Sequence, residues 1–120
     1  AKMGKVARMM GSGARNVARL FREASDTDAL ELLQDLLDVT RDFMGMLGAL
    51  RERYLGGADE EFTRKAEKLA DLLSEMSDVL ENEDWILLAD LLEYEFLPLC
   101  EEWQVVSNHL HEQMVKRIAQ

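Results

Sequence analysis

The chain has 120 residues, 48% of them hydrophobic, which is one domain's length and enough to bury roughly 68% of its unfolded surface without metal or disulfides. Its formal net charge of −10 is divided: residues 1–22 carry +6 and the remainder −16, the pattern of a basic arm on an acidic body. No apolar run reaches the roughly 18 residues of a membrane span and no hydrophobic stretch follows Lys2 and Lys5. The lone Cys100 cannot form an internal disulfide, so a reducing cytoplasm is the expected setting.

Within the arm, Val6, Met9, Met10, Val17, Leu20, Phe21 and Ala24 recur at three- and four-residue intervals, and Arg8, Arg15, Arg19 and Arg22 project from another side. Gly11-Ser12-Gly13 interrupts this basic amphipathic pattern. The expectation is a partly flexible arm over 1–13, carrying Lys2, Lys5 and Arg8, and a firm helix over about 14–24 that opens a single helical domain, 14–120. Its apolar stripe can pack on the chain's own acidic body, lie on an anionic membrane or another protein, or approach nucleic acid. Packing on the body is preferred, because the complementary charge is already present.

A capping-box spacing at Asp28 and Glu31 predicts a second helix over about 28–54. It carries two apolar seams: Leu30, Leu33, Leu37, Met44, Leu47 and Tyr54, and beside it Leu32, Leu36, Val39, Phe43, Met46 and Leu50. Two seams imply two neighbouring helices. Gly56-Gly57 stops this helix and Asp59-Glu60-Glu61 starts a third, over about 59–80, with Phe62, Ala66, Leu69, Leu73, Met76 and Leu80 on one face.

Asp84 is placed to cap a fourth helix, whose seam runs Trp85, Ala89, Leu92, Phe96, Leu99, Trp103, Val106 and Leu110. Between 85 and 99 it is apolar on nearly every side, which predicts a central position with several neighbours. Pro98 removes a backbone donor and crowds the turn before it, so the helix should be kinked or split there, its second half reaching about residue 118. The predicted architecture is an all-α, antiparallel up-down bundle of four to five helices.

Catalytic signatures are missing from the sequence. His109 and His111 are two residues apart, on nearly opposite sides of a helix, and neither follows a Glu by three as in carboxylate-bridged metal bundles. Gly11-Ser12-Gly13 lacks the Lys-Ser/Thr of a phosphate loop. The chain therefore reads as non-enzymatic, with no cofactor, metal or small-molecule substrate. Asp35, Asp38 and Asp42 read as a hydrated outer face, and the seven methionines as core filling that also suits adaptable binding surfaces.

The segment ENEDWILLADLLEYEFLPLCEEW, residues 81–103, resembles the C-terminal part of small helical proteins of Gram-positive bacteria, loosely flagellar-chaperone-like. That resemblance implies a helical bundle and a chaperone-like role, and transfers no site residue. Together with the surplus of apolar faces it suggests a cytoplasmic interaction module, adaptor or chaperone-like. Such a module would bind a partner helix, or itself, through an acidic-rimmed apolar surface. The candidate partner-binding residues are Trp85, Leu88, Leu92, Phe96, Leu99 and Trp103. The alternative is a regulatory protein whose basic arm, Lys2, Lys5, Arg8, Arg15, Arg19 and Arg22, binds an anionic membrane or nucleic acid.

Overall fold

The computed structural model describes residues 2–56 and 60–119, and all its regular structure is helical. Helix α1 spans Lys2–Arg22, α2 Asp26–Tyr54, α3 Glu60–Glu81 and α4 Trp85–Leu91; a π-helical turn, Leu92–Phe96, joins α4 to α5, Leu97–Ala119. The charges suit the helix dipoles. Asp26 and Asp28 open α2 and Arg51 and Arg53 close it, Glu60 and Glu61 open α3, and Arg19 and Arg22 close α1.

Helix α1 corrects the expectation of an arm. It continues through Gly11-Ser12-Gly13 without a break, and Ala7, Met10, Ala14, Val17, Ala18 and Phe21 are core residues. The glycines serve close packing: a Cβ on Gly11 would stand 3.1 Å from Leu97 Cδ1, and one on Gly13 would stand 3.3 Å from Leu36 Cδ1. One glycine thus admits α5 and the other admits α2, and α1 packs against α2, α4, the π turn and α5. The cost of glycine in a helix is offset by contacts that a side chain would prevent.

Which residues meet sets the directions. Phe21 stacks on Trp85, Arg22 reaches Asp90, and Gly11 faces Leu97 and Cys100, so α1 runs antiparallel to the 85–119 path. Gly13 against Leu36, across a short connection, makes α1 antiparallel to α2 as well. The particle is elongated, 54 × 23 × 19 Å.

Two helix ends close on left-handed residues other than glycine, Ala24 at φ 60° and Glu83 at φ 55°. Around Ala24 the N–H of Ser25 donates to the Leu20 carbonyl and that of Ala24 to Phe21; around Glu83 the N–H of Asp84 donates to Val79 and that of Glu83 to Leu80. Both are Schellman closures. Ser25 stands at the N-cap of α2 without a side-chain cap bond, so α2 starts two residues before the expected Asp28. Asp84 does cap α4, accepting from the Leu87 N–H at 3.2 Å. Gly57 and Asp59, the expected stop and restart, lie outside the described residues.

The helix path expected to be kinked or split at Pro98 is divided just before the proline by a π turn. The Leu97 N–H donates to the Leu92 carbonyl, five residues back. Pro98 has no N–H for the carbonyl four residues earlier, and the wider turn makes room for its ring. The 85–99 segment is not the enclosed centre: Ile86, Leu87 and Tyr94 are exposed, and α1 takes the central place because its small residues admit neighbours on two sides.

Candidate functional site

The six residues expected to meet a partner are, with one exception, core. Leu88, Leu92, Phe96, Leu99 and Trp103 are buried, and Trp85 is half-buried against Phe21, with ring centroids 5.4 Å apart and 7° between planes. This is a correction with a simple cause: the seam that marked them as adhesive is the one on which α1, α2 and α3 close. Trp103 is the hub of the far end, with Phe62 edge-on at 5.4 Å and Phe43 at 6.5 Å. Its indole N–H has no acceptor among the described residues, and the perpendicular aromatic rings are its surroundings.

The basic residues are divided between two duties. Arg22 donates to Asp90 at 2.8 Å and to Glu93 at 3.1 Å, and these hydrogen bonds, first to Asp90 and then to Glu93, raise its pKa further. Arg8 and Arg15 border the same recess as Glu101 and Gln104 of α5. This row of α1, Arg8, Arg15 and Arg22, therefore faces the acidic flank of the 85–119 path. Lys5 and Arg19 are exposed on the outer side, Arg19 beside Glu23 at 3.7 Å; the side chain of Lys2 lies outside the described ones.

Three surface recesses bear on binding. The largest, about 560 Å³, is an open groove between α2 and α3. Met44, Phe62 and Leu73 are its large apolar residues, and Gly45, Gly48, Ala66, Ala70, Ser74 and Ser77 keep it wide. A Cβ on Gly45 or Gly48 would meet nothing within 4 Å. Leu47 of α2 and Leu69, Leu73 and Met76 of α3 are buried, while the rows of both helices that face the groove are mostly small, which leaves the space between them open. Ser77 donates its hydroxyl to the Leu73 carbonyl at 3.0 Å, which leaves that wall chiefly apolar. Arg41, the one charged group on the lining, is 3.8 Å from Asp38.

A second recess, about 320 Å³, sits over the π turn between α3 and α5 and is rimmed by Asp71, Glu75, Glu95 and Glu102, with Lys68 among them, around Leu72, Pro98 and Leu99. It is the place where the structure puts an acidic rim on the 85–103 stretch, with Leu99 as the one expected partner residue on its wall. The third, about 180 Å³, lies between α1 and α2 beside Met9, Leu32 and Val39.

Burial, and to a lesser degree Glu101, push the Cys100 thiol up to about 12, the opposite of an activated nucleophile. Among the described residues no group of three His, Cys, Asp or Glu side chains is placed to hold a metal ion, and His109 and His111 are exposed. No helix among them is long and apolar enough to cross a membrane.

Residues 2–106 match a domain of unknown function, DUF8042. The chain belongs to that family. The match takes in α1 to α4, the π turn and α5 as far as Val106, so every residue lining the α2/α3 groove lies inside the DUF8042 domain. No curated protein and no solved structure is significantly similar to the chain.

Proposed function

We propose that this DUF8042 protein is a non-enzymatic interaction module, adaptor or chaperone-like, that holds an amphipathic partner helix in the groove between α2 and α3. The observation that carries the reading is the unfilled space over Gly45 and Gly48 opposite Ala66, Ala70, Ser74 and Ser77. Two helices separated by a row of small residues form the socket that a third helix fills with an i, i+3, i+4, i+7 apolar ridge. Met44 adapts its shape to the ridge, and Arg41 stands where it can meet a carboxylate on the partner's polar side. The resemblance of residues 81–103 to chaperone-like bundles supports the same class of function. A sole cysteine kept as a buried thiol suits a cytoplasmic setting.

The alternative, an anionic membrane or nucleic acid held by the basic helix, has less support. The stripe a membrane would take up, Met10, Val17 and Phe21, is core, and Arg22 is engaged by Asp90 and Glu93. The groove reading is tested by selecting binders from a library of amphipathic helical peptides and mapping them by amide NMR shifts. Perturbation centred on Gly45, Gly48, Ala66 and Ala70, abolished by Gly48→Leu in a protein that still folds, is expected. Binders that leave those amides unmoved would refute it.

A further inference from the structure

The second seam of α2 is only half used by the fold. Leu36 is buried against Gly13 of α1 and Phe43 is buried beside Trp103, but Leu32, Val39 and Met46, seven residues apart, remain 44%, 41% and 40% exposed, and Met9 of α1 is 68% exposed. Met9, Leu32 and Val39 border one recess, so they form a continuous ridge along the α1/α2 pair. A heptad-spaced apolar row at the surface is half of a helix–helix interface. We infer that a second copy of this chain covers it, about a two-fold axis parallel to α1 and α2.

Charge selects the occupant and the axis. On the α1 side of the ridge lie Lys5 and Arg19, the latter 3.7 Å from its own Glu23; on the α2 side lie Asp35, which borders the recess, and Asp28 and Asp42, all exposed. The contact of Gly13 with Leu36 sets the register of the antiparallel pair, which puts Lys5 near the level of Asp42 and Arg19 near that of Asp28. A two-fold axis along the helices lays α1 of one copy on α2 of the other at equal height. Each basic flank then meets an acidic flank, and the apolar ridges meet between them. An axis across the helices would instead set basic on basic and acidic on acidic. The shared face, as long as the 21-residue α1 and two helices wide, is about 30 by 20 Å, of the order of the ~800 Å² each partner buries in a stable interface. This surface is separate from the α2/α3 groove, and the inference stands or falls independently of that reading.

The test is sedimentation equilibrium of the whole chain from micromolar to millimolar concentration. The mass is expected to rise from one chain to two, and Val39→Asp, a surface change that leaves the core intact, to raise the dissociation constant at least tenfold. Val105→Asp, on α5 and 68% exposed, serves as the control and should leave it unchanged. Lys5→Asp and Asp42→Lys should each weaken the dimer, and the double variant, which restores opposed charges, should recover it. A monomer throughout the range, a dimer indifferent to Val39→Asp, or failure of the double charge reversal to recover association would overturn the inference. So would a monomer that binds anionic vesicles until Val39→Asp is introduced, since the ridge would then belong to a lipid surface.

Discussion

Phe21, in the last turn of α1, lies flat on Trp85, the first residue of α4, with ring centroids 5.4 Å apart. The pair closes one end of the bundle at the point where Arg22 also reaches Asp90 and Glu93. Phe21→Ala should cost about 3–5 kcal/mol of stability, measured by urea denaturation, because Phe21 is buried. A double-mutant cycle with Trp85→Leu should isolate a pair term of about 0.5–1.5 kcal/mol beyond area burial. A cycle that closes additively would mean the stacking adds nothing of its own.

The glycines of α1 and α2 should respond in opposite ways. At Gly45 and Gly48 a methyl meets nothing, so Gly→Ala should stabilise by about 0.5–1 kcal/mol each through helix propensity. At Gly11, 3.1 Å from Leu97, Gly→Ala should forfeit that gain, and Gly11→Val should destabilise by about 1–3 kcal/mol through overpacking. Thermal melts of the four variants provide the comparison; equal effects in both helices would show that α1 is not wedged as described.

The left-handed residues Ala24 and Glu83 invite glycine. Ala24→Gly and Glu83→Gly should each stabilise by about 1 kcal/mol, since glycine adopts this conformation without the Cβ penalty. A drop in the chemical denaturation midpoint for both would contradict the Schellman closures.

Cys100 carries a pH dependence whose sign follows from burial. Its thiol is held near 12 when folded against an ordinary value of 9.0, so the unfolded chain releases the proton first as pH rises. The contribution is fully present below about pH 9.0 and is lost progressively as pH climbs toward about 12. Cys100→Ala should lessen the decline in stability across that alkaline window. In the native protein at neutral pH a thiol-specific reagent should label Cys100 far more slowly than in urea.

Much of the fold was legible in order of residues alone. The span 28–54 expected for α2 compares with Asp26–Tyr54, and 59–80 expected for α3 with Glu60–Glu81, because periodic leucines and terminal carboxylates act locally. The Asp84 cap is equally local. The role of α1 was not legible: Gly-Ser-Gly weakens an isolated helix, and only the approach of Leu97 and Leu36 turns the same absence of side chains into an advantage.

The amphipathic seams by themselves determined that this chain is helical, since a 3.6-residue repeat can bury its apolar side in no other regular structure. They could not say which seam is core and which is left for contact, because hydrophobicity records a wish to leave water and not what does the covering. Tertiary packing decided that. It buried Leu88, Leu92, Phe96 and Trp103, which the sequence had marked for a partner, and left Leu32, Val39 and Met46 and the space over Gly45 and Gly48 open.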